Sequence, residues 1–318
     1  MPKSRSRKPG GRVRPSRPVP VSALAHLGGG LFAVPPEISA GRLANLLAST
    51  DPSDPFLVTA LPPYLLDAIA SAQWLPYERC VDECMILAHA YAQFGIDAEV
   101  RAAELEITVR DTGATATYGS REPNWEDGMM HGHSVVWLPG PGHLVDNTAE
   151  QFAEIAAGTG PVIITNAQVP APDRAPCTAS PFQCSLRRDD VLLTYTVAPP
   201  AASNRMLDHP VVSEGASGYR RRGMNVASQT VILLAEFFSS EQIRLLPCIR
   251  AAALTEAIRD LPAEQIHNGD WRFISPGSNG PPRPARLDRL KLPDGIPPVA
   301  RIGYSRSIDR ARTDNASR

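Results

Sequence analysis

The sequence predicts an α+β fold, with helices gathered on one side of an antiparallel sheet. Three observations predict it. Apolar residues recur at helical spacing in 38–48, 62–73 and 81–94. From Ala98 the pattern changes to short alternating runs divided by hairpin-type turns. Helical spacing then returns over 227–258. Strands that follow one another, rather than alternating with helices, pair most simply as antiparallel neighbours.

Each element has its own signal. Leu43, Leu46 and Leu47 share one face of the first helix, and Leu65, Leu66 and Ile69 one face of the second. Asp51-Pro52-Ser53-Asp54-Pro55 breaks the chain between them. In 81–94, Met85, Ala88, Tyr91 and Ala92 align, and Gly95 is a natural residue for the left-handed turn that ends a helix. Strands are expected at 98–111, 133–138, from 143, at 161–165 and at 191–197. The turns are Asp111-Thr112-Gly113 and Pro139-Gly140-Pro141-Gly142. Residues 119–132 and 201–223 read as loops. A strongly apolar helix is expected at 227–238. A second begins at Ser239-Ser240-Glu241-Gln242, a capping sequence, and runs through Ile258.

Charge divides the chain more sharply than hydropathy does. Residues 1–17 carry seven Lys/Arg and no acid, and residues 283–318 nine Lys/Arg and four acids. The ends are therefore +7 and +5, so the net charge of −1 leaves −13 on residues 18–282. The organisation predicted is a disordered basic tail at 1–20, an α+β domain at 21–200, a helical extension packed on it at 201–275, and a disordered Pro/Arg-rich tail at 276–318. Basic tails of this kind suit an anionic partner. The 43% hydrophobic content supports a core, and the 32 prolines imply long irregular stretches around it. No run of about 18 apolar residues exists to span a membrane. The five cysteines are odd in number and lack framework spacing, which points to reduced thiols in a cytoplasmic protein. Cys177 and Cys184, in a Pro/Ser-rich loop, would pair only on export.

The chemistry-bearing residues fall in one order: Cys80 at a helix start, His133 opening a strand, and Asp146 closing the next. A thiol becomes a strong nucleophile as thiolate. A helix N-terminus stabilises that anion, and a neighbouring imidazole holds its proton. An aspartate on the other ring nitrogen fixes the imidazole's tautomer. Asp82 and Glu83, in the same first turn, oppose thiolate formation. Trp74 and Trp125 are candidates to line a substrate groove, and His131 is the rival base.

The run Cys80…Gly95-Ile96-Asp97-Ala98-Glu99-Val100 resembles the core of the transglutaminase-like (papain-like cysteine protease) superfamily, over residues about 65–155. In that family a catalytic cysteine opens a helix, a Gly-Ile-Pro-Ala-Arg-type turn follows, a histidine begins a strand ending near an aromatic residue, and an aspartate lies in the next strand. Here Gly95 stands fifteen residues after Cys80, Trp137 follows His133, and Thr148 trails Asp146. The chain departs from the pattern at Asp97 and Glu99 in the turn, in the Ser-Val-Val-Trp step after the histidine, and at Arg79. The resemblance implies a papain-like core and a Cys80–His133–Asp146 triad acting on a peptide or protein amide without a cofactor. It also implies an oxyanion donor upstream of the cysteine, for which Gln73 is the nearby glutamine.

Two other readings use the same residues. Cys80, Cys84, His131 and His133 form a ligand set of the type that holds tetrahedral zinc. A transglutaminase-like domain without activity would instead be a binding module that docks partners through its tails.

Overall fold

The computed structural model describes residues 35–72, 80–155, 159–165, 167, 180–266, 270–275 and 282–303. The expected tail at 1–20, and Gln73, Trp74 and Cys177, lie outside the described residues. The fold is α+β, built on one antiparallel sheet with a helical layer against one of its faces.

Helix α1 (Pro36–Ser49) and helix α2 (Pro55–Ala72) pack on each other. The second starts seven residues earlier than expected and runs through Pro62 and Pro63. A proline has no N–H for the carbonyl four residues back. For Pro63 that carbonyl belongs to Thr59, and the buried Tyr91 hydroxyl donates to it at 2.6 Å. A tertiary contact thus replaces the missing helical bond. Tyr91 belongs to helix α3 (Cys80–Gln93). This helix ends as the sequence predicts: Gly95 sits at φ +75, its N–H bonds Ala92 O at 3.0 Å, and Ile96 N–H bonds Tyr91 O at 3.1 Å. That pair of bonds is a Schellman cap.

The central strand is β1 (Ala98–Val109). Its first half pairs with β5 (His133–Leu138), and its second half with β2 (Thr115–Gly119) along the same edge. The sheet continues from β5 through β6 (His143–Asp146) to β7 (Val162–Ile164). On the other side of β1 lie β9 (Val191–Val197) and β8 (Phe182–Arg188). The sheet curls so that its end strands approach. Arg188 at the end of β8 donates to the carbonyls of Thr159, Gly160 and Pro161, just before β7. Residues 119–132, expected as loop, hold a small hairpin of β3 (Asn124–Glu126) and β4 (Met129–His131).

Strand alternation divides two cores. Val100, Ala102, Val136, Leu138 and Val145 meet the helices. Leu105, Ile107, Val135, Trp137, Leu144, Leu193 and Tyr195 point the other way, into the hollow of the curled sheet.

The C-terminal part differs most from expectation. The 201–223 stretch is helical: α4 (Pro200–Leu207), then α5 (Pro210–Phe237), which replaces the short helix expected at 227–238. Pro210 at its first position is pre-set for a helix start. The helix expected from Ser239 to Ile258 is two, α6 (Ser240–Ile243) and α7 (Ile249–Ile258), because Pro247 cannot continue the first. The Ser239–Gln242 capping box is present. Strands β10 (Ala263–Gln265), β11 (Trp271–Ser275) and β12 (Arg283–Ala285) form a small sheet. Residues 282–303, expected as unpacked tail, are tied down. Leu287 is buried in the main core, and β13 (Ile302–Gly303) pairs in parallel with the start of β1. No helix among the described residues is long and apolar enough to cross a membrane.

Helix α5 lies directly on α3. Gly223 makes this approach possible: a Cβ there would sit 2.4 Å from His89 Cβ and 2.6 Å from the Ile86 carbonyl oxygen. Gly223→Ala is expected to destabilise the fold by about 1–3 kcal/mol, the usual cost of overpacking. Its surface neighbour Gly218→Ala meets almost nothing and is expected to be stabilising or neutral. Urea unfolding of the two variants checks the contrast.

Candidate functional site

The parity of β5 and β6 places His133 and Asp146 on the same sheet face. His133 opens β5, Asp146 closes β6, and both are fully buried at 1% and 0% exposure. Their side chains meet, with His133 Nε2 2.7 Å from Asp146 Oδ2. Burial works against the Asp146 charge, but the His133 charge and bonds from His133, Tyr195 and Thr148 hold its pKa below 3.8. An ionised carboxylate only accepts, so His133 Nε2 is the donor.

Three further groups fix that carboxylate. Tyr195 O–H donates to Oδ2 at 2.8 Å, and Thr148 donates to Oδ1 through its N–H at 3.0 Å and its hydroxyl at 3.3 Å. Phe152 meets the His133 ring edge-on at 5.2 Å and stacks on Tyr118, whose hydroxyl donates to Glu154. Gly119 completes the seat. At φ +76 it would bring any Cβ within 2.5 Å of both His133 Cβ and the Ala103 carbonyl oxygen.

The other nitrogen, Nδ1, is left for Cys80, which stands in the first turn of α3 and is half-buried. Burial pushes the His133 pKa down. The Asp146 charge and hydrogen bond, then the hydrogen bond and charge of Cys80, outweigh it and raise the imidazole to about 10. Cys80, His133 and Asp146 therefore form one connected line. At neutral pH its middle member carries a proton on each nitrogen, which is the state that stabilises a thiolate beside it.

The two acids of the first helical turn are engaged elsewhere. Asp82 accepts the Tyr219 hydroxyl of α5 at 2.5 Å, and Glu83 accepts Asn147 Nδ2 at 2.5 Å. Cys84 is buried and points at the sheet, where Ser134 O–H donates to its sulfur at 3.6 Å. Burial, followed by the charge of Cys80, drives its pKa well above the ordinary thiol value, so it is the inert cysteine of the pair. Cys184 is likewise a buried free thiol, pushed up to about 12 by burial.

His131 does not reach the site. Gly132 separates β4 from β5, and the exposed His131 ring lies 3.6 Å from Glu126. The zinc set Cys80, Cys84, His131 and His133 is consequently not assembled. Among the described residues no group of three or more His, Cys, Asp or Glu is arranged to hold a metal. Trp125 does border the cavity at Cys80, together with Met129, Met130, Val211 and Gln151. It is stacked on His209 at 4.2 Å and donates Nε1–H to the Met206 carbonyl at 3.0 Å. The hairpin is thereby fixed against the α4–α5 connection. Gln151 and Tyr195 are the site residues that sequence reading missed. The alternation of β9 places Tyr195 with Leu193 and Val197 on the inward face, whereas nothing local marks Gln151. Comparisons with known protein families, curated proteins and solved structures find no match to this chain.

Proposed function

We propose that this protein is a cysteine-dependent amide hydrolase or transamidase of transglutaminase-like, papain-like type, acting on a peptide or protein amide. One observation carries the reading: a fully buried His133–Asp146 pair in hydrogen-bond contact with a half-exposed cysteine at a helix start, beside a cavity. A buried ion pair serves the chemistry better than it serves stability, since such pairs are weak stabilisers of folds.

In this reading Cys80 Sγ attacks the amide carbonyl carbon and the carbonyl π pair moves to oxygen. When the pair returns, the C–N bond breaks and the His133 Nδ1 proton goes to the leaving amine. Asp146 holds the ring and its charge throughout. Water, or a second amine, then attacks the thioacyl carbon after giving its proton to His133. Sγ leaves as thiolate. No cofactor is required by these steps. The acidic body and basic ends suit an anionic partner for the tails, and the reading places the protein in the reducing cytoplasm.

The test is iodoacetamide labelling of the native protein across pH, with the labelled residue assigned by mass spectrometry. Cys80 is expected to label first, and His133→Ala is expected to remove that advantage. A Cys80 that stays inert in the native fold sinks the proposal.

A further inference from the structure

Asp146 sits on β6 and Tyr195 on β9, with β5 and β1 between them in the sheet. Three strand spacings of about 4.8 Å each would hold them about 14 Å apart in a flat sheet, farther than the two side chains reach. The curl of the sheet closes that distance. Tyr195 O–H crosses the hollow and donates to Asp146 Oδ2 at 2.8 Å, with both residues fully buried. Arg188, bonded to the carbonyls just before β7, holds the same curl.

Packing alone does not call for this hydroxyl. The cross-strand neighbours of Tyr195 are Leu105 on β1 and Cys184 on β8, and Leu193 and Val197 flank it on its own face. A phenylalanine would fill the same place. The oxygen that the hydroxyl reaches is shared. Asp146 Oδ2 also accepts His133 Nε2 at 2.7 Å, whereas both donors of Thr148 go to Oδ1. A second donor on Oδ2 stabilises the carboxylate charge and so weakens its hold on the imidazole proton. Burial raises Tyr195 well above the ordinary phenol range, so it remains a donor.

We propose that Tyr195 is a positioning residue of the reaction: by donating to the Asp146 oxygen that also accepts His133, it fixes the carboxylate across the hollow and tempers its pull on the imidazolium, so that His133 can release a proton to the leaving amine. The inference rests on the cysteine-hydrolase reading, in which that proton must leave Nδ1 as the C–N bond breaks. An acid works best with a proton affinity near the working pH. An Asp146 that spent all its charge on His133 would hold the imidazolium too firmly for that step. Tyr195 keeps its own proton throughout, and nothing is oxidised or reduced. The titratable and charged groups facing the pair are Cys80 and Cys84 of α3 and, behind Tyr195, Cys184 and Arg188 of β8. All four stay in place when Tyr195 is changed.

The experiment follows the His133 ring nitrogens by NMR across pH on the full chain, with their signals assigned by their loss in His133→Gln. Tyr195→Phe removes the second donor and is expected to move the titration up by about one pH unit, the scale of one hydrogen bond to a charged group. Tyr195→fluorotyrosine keeps the shape and makes the hydroxyl a stronger donor, and is expected to move it down. Packing changes do not produce shifts of opposite sign. A titration that stays or falls in Tyr195→Phe overturns the proposal, as does one that stays or rises with fluorotyrosine. The fluorotyrosine protein decides alone if Tyr195→Phe does not fold. Iodoacetamide labelling of the wild-type protein separates the two readings. An inert Cys80 sinks the hydrolase reading and the role of Tyr195 with it, whereas a reactive Cys80 with an unmoved titration sinks the role of Tyr195 alone.

Discussion

Cys80→Ala is expected to lower turnover of an amide substrate about a millionfold, the scale on which removing a covalent nucleophile acts, while moving Tm by no more than about 4 °C. The separation follows from where the residue sits. Cys80 is half-exposed at the rim of a cavity, so its truncation opens no closed void in the core. In the proposed reaction its sulfur forms the acyl bond, and no neighbour can replace it. Cys84, one helical turn on, is 2% exposed and bonded to Ser134, and its thiol is held protonated by burial. Cys84→Ala is therefore expected to show the opposite split, with stability lost and Cys80 chemistry retained. Thermal unfolding and kcat/KM on one amide substrate, measured for both variants, check the pair of expectations. Activity that survives Cys80→Ala removes the covalent mechanism.

The line from Cys80 to Asp146 was legible because each member sits where a local pattern changes. Helical spacing begins at Cys80, alternation begins again at His133, and an Asp-Asn-Thr turn follows Asp146. Two-residue alternation then decides the rest. His133, Asp146 and Tyr195 share the inward sheet face, while Ser134 and Val145 face the helices. What sequence could not give depends on distance along the chain. The α5 helix was hidden by Gly215, Gly218 and Gly223, which lower helix propensity. At Gly223 the reason for glycine is the α3 backbone at Ile86 and Ala90, too far away in sequence for any window to see. The tail at 282–303 reads as unpacked by composition, yet Ile302 aligns with Ala98 across a parallel pairing and Arg250 donates to the Pro297 carbonyl at 2.7 Å.

Asp146→Ala is expected to destabilise the fold by about 3–5 kcal/mol, the cost of stranding one side of a buried charged pair. It leaves the buried Tyr195 hydroxyl and His133 Nε2 without their acceptor. The milder Asp146→Asn isolates the electrostatic part through pH. An unfolded histidine titrates near 6.5, and His133 in the fold near about 10. A raised pKa stabilises the fold fully below 6.5 and loses that contribution as pH climbs towards 10. Asp146 is shifted the other way, below its unfolded 3.8, so its contribution is present above 3.8 and lost as pH falls through the folded value. The wild-type advantage over Asp146→Asn is thus largest between about pH 4 and 6.5. It declines on both sides, because in the variant burial acts on His133 without the opposing Asp146 charge, with only Cys80 still raising its pKa. Cys80 and Tyr195 face the same pair, but both remain in the two proteins, so the difference curve reports the His133–Asp146 couple. Urea midpoints at about pH 5, 7 and 9 measure it. Parallel curves would mean that His133 is not held protonated by Asp146. The proton that the proposed mechanism passes from His133 to the leaving amine would then have no source in this pair.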